Sequence, residues 1–287
     1  MLFLVGLVIV IGSVIGGYLG PGGHLGVLFQ PFEFVIIFGA ALGSFVISNP
    51  MPVIMGTLKS FAVLLKGSKL KKESYIELLS MMYATFKLSK TKGDLALESH
   101  IDRPEESTLF QAYPGFAKNH EACEFMCDNL RLLTMGTCNA HELEAVMDAE
   151  LEAHHTHQHA VSSAVSTVAD AMPALGIVAA VLGVIHTMGS ITEPPEVLGH
   201  LIGGALVGTF AGVLFSYGIV APMAKSLENT FSADSHYLAC MKTALIAYVQ
   251  GYAPSVAVEF ARKTLTGKIR PSFAEMDEAL QAVQLPS

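Results

Sequence analysis

Residues 171–222 read AMPALGIVAAVLGVIHTMGSITEPPEVLGHLIGGALVGTFAGVLFSYGIVAP. The stretch holds two apolar runs, about 171–191 and 201–222, parted by the short connection TEPPEVLGH (192–200). Two further apolar runs lie near the start, at about 2–20 and 34–49, joined by GPGGHLGVLFQPFE (20–33). At about 1.5 Å of helix rise per residue, such runs approach the ~30 Å hydrocarbon layer of a bilayer. Read this way, the four spans contain no Asp, Glu, Lys or Arg and one histidine, His186. The connections within each pair are too small to form outside domains. With no charged group in the spans, the chain by itself has poor means of carrying an ion across lipid. Either it is no transporter, or a partner supplies the acid.

Charge is segregated as strictly as apolarity. All seventeen Lys and Arg fall at 59–131 and 225–270, and none lies before the first pair of spans, between its members, or between the last two spans. That asymmetry places both termini and the large middle segment in the cytoplasm. The N-terminal run lacks a basic leader and a clear cleavage site, so it is read as a retained span rather than a signal peptide. A composition 52% hydrophobic and 15% charged, with 26 glycines, fits a chain divided between lipid and cytosol. A net charge of −8 without a basic stripe argues against nucleic-acid binding.

Periodicity predicts an all-α protein with four transmembrane helices and a large helical cytoplasmic domain. Ile54, Leu58, Phe61, Leu64 and Leu65, then Ile76, Leu79, Met82, Tyr83 and Phe86, follow helical spacing. Asn139 and Glu142 form a capping-box start for a helix with Leu143, Val146, Met147 and Leu151 on its apolar face. No proline interrupts that run before Pro173, so it is expected to continue into the third span. The fourth span is expected to run on past Pro222 along Leu227, Phe231, Leu238, Met241 and Leu245. The organisation is then 1–49, the first two transmembrane helices; 50–168, a cytoplasmic helical domain; 169–224, the third and fourth transmembrane helices; and 225–287, a cytoplasmic helical tail.

Several groups have both a structural and a chemical reading. Gly12, Gly16 and Gly20, and Gly204, Gly208 and Gly212, put small residues four apart, which suits close helix packing within or between subunits. Pro173 and Pro222 at the cytoplasmic mouths of consecutive spans suggest a paired bend, static or functional. His186 is either a proton relay or a neutral imidazole bonded to a carbonyl. Thr209 either faces an ion path or bonds back to its own helix. Cys123 and Cys127 share a helix face and, with Cys138 and Cys240, are expected to be free thiols. The run His154, His155, His157 and His159 favours a solvated face over a metal site, since no second ligand cluster accompanies it. Phosphate loops, nucleophile elbows and zincin motifs are absent, so neither catalysis nor a cofactor is expected. KLSKTKGDLALESHIDRPEEST (87–108), with Lys87, Lys90, Lys92, Glu98, Arg103, Glu105 and Glu106, is either a solvated face or a charged docking surface.

Three segments carry a family resemblance. The third span has Asp170, Pro173-Ala174 and Gly176-Ile177-Val178-Ala179-Ala180; the fourth has Val207-Gly208-Thr209-Phe210 and closes at Pro222. The tail GYAPSVAVEFARKTL (251–265), followed by RPSF (270–273), is the most specific. Nearly the whole chain resembles the MotA family of flagellar-motor stator subunits. The resemblance implies a pentameric ring around a MotB dimer in the bacterial inner membrane. MotB supplies the ion-binding Asp, and the ring pushes on FliG of the rotor. It further implies Lys90 and Glu98 as rotor contacts, Pro173 and Pro222 as coupling elements, and Thr209 and Ala180 along the ion path. Lys90 stands where relatives carry Arg, which keeps the charge but loses the planar fork. Ala180 stands where sodium-driven relatives carry Thr, which favours protons. An ExbB- or TolQ-like energiser is the alternative; four spans and the tail motif weigh against it.

Overall fold

A computed structural model describes residues 2–66, 70–136 and 139–285, and those residues are nearly all helical. Cys138 lies outside them. The chain divides into two compact units, Met1–Gly67 with Thr156–Phe231, and Ser68–His155 with Ser232–Ser287.

The first unit is built from apolar helices. The segments Leu25–Ser48, Ala140–Met188 and Pro195–Val249 are long and apolar enough to cross a membrane, and the shorter Phe3–Leu19 is apolar too. Its helices include Leu2–Leu19, Pro31–Ser48 and Met51–Lys66. The helix Ala140–Met188 is continuous for 49 residues. Asn139 and Glu142 do cap it: Glu142 N–H donates to Asn139 Oδ1 at 2.9 Å, and Asn139 N–H to Glu142 Oε2 at 3.3 Å. Pro195–Phe215 passes through a π turn, Ser216–Val220, into Ala221–Val249. The expected passage beyond Pro222 is therefore found, with a widened turn the periodicity did not show.

One boundary corrects the sequence reading. The second apolar helix starts at Pro31, three residues before the expected 34, because proline suits the first helical position, where its missing N–H costs nothing. Glu33 therefore lies inside an apolar helix, buried with Ile37 and Ala41 on its inner face. By the observed bounds the apolar helices carry carboxyls that the sequence reading left outside: Glu33, which is buried, and Glu196 in the first turn of Pro195–Phe215, which is exposed.

The glycine stripes also part company. A Cβ built on Gly12 or Gly16 would meet nothing within 4 Å, whereas Gly204, Gly208 and Gly212 have atoms of neighbouring segments closer than 3 Å to theirs. Among the described residues, the stripe Gly204, Gly208 and Gly212 is the one of the two used for packing.

The second unit wraps around Lys72–Lys92. Leu78, Leu79, Met81, Met82, Ala84, Phe86 and Leu88 of this helix are all buried, which covers most of its circumference and makes it central. Phe110, Phe116, Leu130, Met147, Met241, Leu245 and Val258 close the core around it. Cys123 and Cys127 are buried in the helix His120–Thr134. Cys123, Cys127 and Cys240 are free.

The tail motif has a structural explanation in this unit. Gly251 takes φ +94°, open to glycine at little cost, and Pro254 then starts the helix Pro254–Thr264. Arg262, with a side chain 7% exposed, reaches Glu259 through Nε and Nη2 at 2.7 Å each, and donates from Nη1 to Pro271 O at 2.7 Å. Ser272 and Glu275 then form a capping box, and Glu275 takes Lys72 Nζ at 2.6 Å. The signature residues tie the tail back to the central helix.

The hydrogen bond from Arg262, followed by its charge after the opposing cost of burial, holds the Glu259 carboxyl below its ordinary range. A depressed folded pKa contributes stability that is present above the unfolded value and lost as pH falls through the folded one. Arg262→Ala should cost about 2–3 kcal/mol, less than a fully buried pair because Glu259 keeps some solvent contact. Thermal unfolding as a function of pH should also show a flatter acid limb in this variant.

Candidate functional site

Two groups of residues stand out, one in each unit. In the first, the third-span part of Ala140–Met188 crosses Pro195–Phe215 at backbone contact. A Cβ on Gly176 would lie 2.7 Å from the Gly208 carbonyl oxygen and 3.0 Å from Gly212 Cα. One on Gly212 would lie 2.7 Å from Met172 O. No side chain fits such a gap, so small residues are a geometric requirement here.

Gly208 brings the expected ion-path positions together. Its Cβ site is 3.0 Å from Ala180 N, so the backbones at Ala180 and at Gly208-Thr209 are neighbours. Thr209 is half-buried, and its hydroxyl has no hydrogen-bond partner among the described residues. Thr187, by contrast, donates back to Gly183 O at 2.8 Å. Of the two readings of Thr209, bonding back to its own helix is not the one adopted. His186 is exposed on its helix.

The residue that sequence reasoning missed is Glu33. Its side chain enters the same crossing, with Oε1 2.9 Å from the Cβ site of Gly183 and Oε2 2.9 Å from that of Gly208. Oε2 is buried and meets no hydrogen-bond partner among the described residues. Ala179, Ala180, Gly183, Ala205 and Gly208 face this carboxyl or its glycines, and none of them titrates. Gln30, one turn earlier, lies against Gly204 in the same way, with Nε2 2.9 Å from its Cβ site. The signal available beforehand was the QPFE run itself: Pro31 at a helix start draws Glu33 into the first turn.

The two prolines lie at the other end of the crossing. Pro173 sits within Ala140–Met188. Pro222 lies two residues beyond the end of the π turn, and the cause is local: proline offers no N–H to the carbonyl four residues back and its ring crowds that carbonyl. The helix widens instead, with Ala221 N–H donating to Ser216 O, five residues back.

In the second unit, Lys90 and Glu98 are exposed on either side of a tight turn. Gly93 ends the central helix at φ +84°, its N–H donating to Ser89 O at 2.8 Å. Ser89 Oγ also donates to the Asp94 carboxylate and lies 2.7 Å from Tyr248 Oη. Tyr248 stacks on Phe86 with ring centroids 4.4 Å apart. Glu98 opens the short helix Glu98–Asp102. Neither Lys90 nor Glu98 forms an ion pair with a described residue. They are charges carried on a pinned turn with their own salt bridges unmade. His154 pairs with Glu121. Among the described residues no group of three His, Cys, Asp or Glu is placed to hold a metal.

Comparison with known proteins covers both groups. Residues 4–93 match the family described as Motility protein A N-terminal, and residues 117–239 match the MotA/TolQ/ExbB proton channel family. Motility protein A of Escherichia coli (strain K12) is 43% identical over 286 residues, covering 100% of this chain and 97% of that protein. Chemotaxis protein LafT of Vibrio parahaemolyticus is 34% identical over 96% of each chain. The fold is that of a chain in the C. jejuni MotAB structure, with TM-score 0.78 at 20% identity over 94% of this chain and 98% of that one. A chain of the flagellar MotAB stator complex from Bacillus subtilis gives TM-score 0.72 at 24% identity over 89% and 92%.

Gly212→Val should destabilise the first unit by about 1–3 kcal/mol or prevent its folding, because the third-span backbone leaves no room. Gly12→Val, in open space within the chain, should leave the melting temperature of the detergent-solubilised subunit unchanged.

Proposed function

The chain belongs to the motility protein A family, and from that premise we propose that it is a stator subunit of the bacterial flagellar motor. With MotB it forms a proton channel and converts ion flow into torque on FliG. Full-length identity of 43% to a motility protein A is the observation that carries the reading. The shortage of acid in the apolar helices supports the partner's role. The one acid buried among the described residues of these helices, Glu33, is enclosed by glycine, so an ion-binding acid accessible to a moving ion is supplied by another chain. MotB is that partner.

On this reading the subunit crosses the inner membrane four times. Both termini, the segment 50–168 and the tail 225–287 lie in the cytoplasm, and five copies surround a MotB dimer within lipid. Lys90 and Glu98 meet the rotor, and their exposure without internal ion pairs leaves them available to one. Pro173 and Pro222 couple ion binding to movement. One monovalent ion crossing 100 mV releases only ~2.3 kcal/mol, so torque requires many ions in succession and a device that repeats its step.

Ala180 and Thr209 line the ion path. Thr209 contributes a single hydroxyl and Ala180 none, which leaves a dehydrated sodium ion short of oxygen ligands. A proton needs only a titrating acid and a water path.

Vesicles containing this chain alone should pass no protons at a useful rate, and those containing it with MotB should; robust flux without MotB ends the reading. Glu98→Lys, or Lys90→Glu with Lys92→Glu, should stop or slow rotation while complex yield is unchanged. Rotation of tethered cells at fixed pH should persist when sodium is replaced by potassium, and arrest restored by sodium reverses the ion assignment.

A further inference from the structure

In an α-helix each N–H donates to the carbonyl four residues back, so Pro173, which has no N–H, leaves the Ala169 carbonyl without its helix donor. Inside an apolar unit such a group cannot turn to water and must be met by a neighbouring segment. It is met here by Ser216, whose Oγ donates to Ala169 O at 2.6 Å across 47 residues of sequence. Ser216 is fully buried.

This use of a hydroxyl is unusual within the same unit. Thr57, Ser60, Thr167, Thr187 and Thr230 all donate to the carbonyl four residues back in their own helix. The equivalent acceptor for Ser216 would be Gly212, and its side chain passes over it to reach the third span. Its position explains the choice. Ser216 is the first residue of the π turn that precedes Pro222, where the helix widens and its register shifts. One proline thus creates the acceptor, and the other sets the helix geometry that presents the donor.

We propose that Ser216 is a positioning residue that links the two proline-bearing segments, by holding the carbonyl that Pro173 frees. The two spans cannot slide past each other at this level without breaking the bond, so the bond marks one state of the pair. The proposal rests on the reading of Pro173 and Pro222 as coupling elements.

The test is a double-mutant cycle in the full chain assembled with MotB, read as torque at high load and as thermal stability of the purified complex. Ser216→Ala should assemble normally, melt lower and lose torque at high load. In the Pro173→Ala background the same change should add no loss of either kind, because the substituted residue brings its own N–H to the Ala169 carbonyl. Full torque in Ser216→Ala beside impaired Pro173→Ala overturns the positioning role and leaves the prolines' role standing. Full torque in both overturns the proposal together with the reading of the prolines. Losses that simply add show that Ser216 does not act through this carbonyl, and overturn it as well. If Ser216→Ala alone fails to assemble, assembly of the double variant supports the proposal and its failure overturns it.

Discussion

In hydrocarbon a backbone carbonyl has no water to turn to, and the first unit is arranged around that constraint. Its helices meet their own hydrogen bonds along most of their length, which lets Ala140–Met188 and Pro195–Phe215 approach until only glycine fits between them. Two prolines then break the rule near one end of the crossing. The fourth span answers by widening to a π turn. The third leaves a carbonyl that a serine from its neighbour takes up. A carbonyl satisfied this way depends on a contact between helices, so its partner can differ between states, whereas one satisfied within its own helix would be fixed.

The second unit solves a different problem: presenting charge at a defined place on a turn. Long polar side chains such as Lys90 and Glu98 fix little by themselves. The turn between them is defined from beneath, by Gly93 at positive φ, by Ser89 bridging Asp94 and Tyr248, and by the Phe86–Tyr248 stack. The tail clasp of Arg262, Glu259 and Pro271 acts in the same unit, joined through the Ser272–Glu275 capping box to Lys72 at the start of the central helix. The tail motif is therefore structural in its visible contacts.

Much of this was legible beforehand because it is local. The run from Asn139 towards Pro173, its capping box, and the helical course of Lys72–Lys92 all follow from spacing along one helix, whereas the burial of Lys72–Lys92 on most of its circumference does not. Glu33 was not legible, because a carboxyl beside a connection reads as solvated until Gly183 and Gly208, some 150 and 175 positions away in sequence, supply the gap it fills. The two glycine stripes looked alike for the same reason. Spacing shows that a face is small, and only the partner decides whether it is used. The π turn escaped because proline announces a break without saying how the backbone repairs it.

The carboxyl at Glu33 and the glycines at 183 and 208 occupy one shared volume. Each position is therefore tied to the other two under mutation. A methyl gained at either glycine leaves no room for the acid, and a shorter acid opens a void between the helices. Substitutions at the three sites are expected to arise together or not at all. Across a lineage they are expected to behave as a single inherited character, although they lie on three different helices.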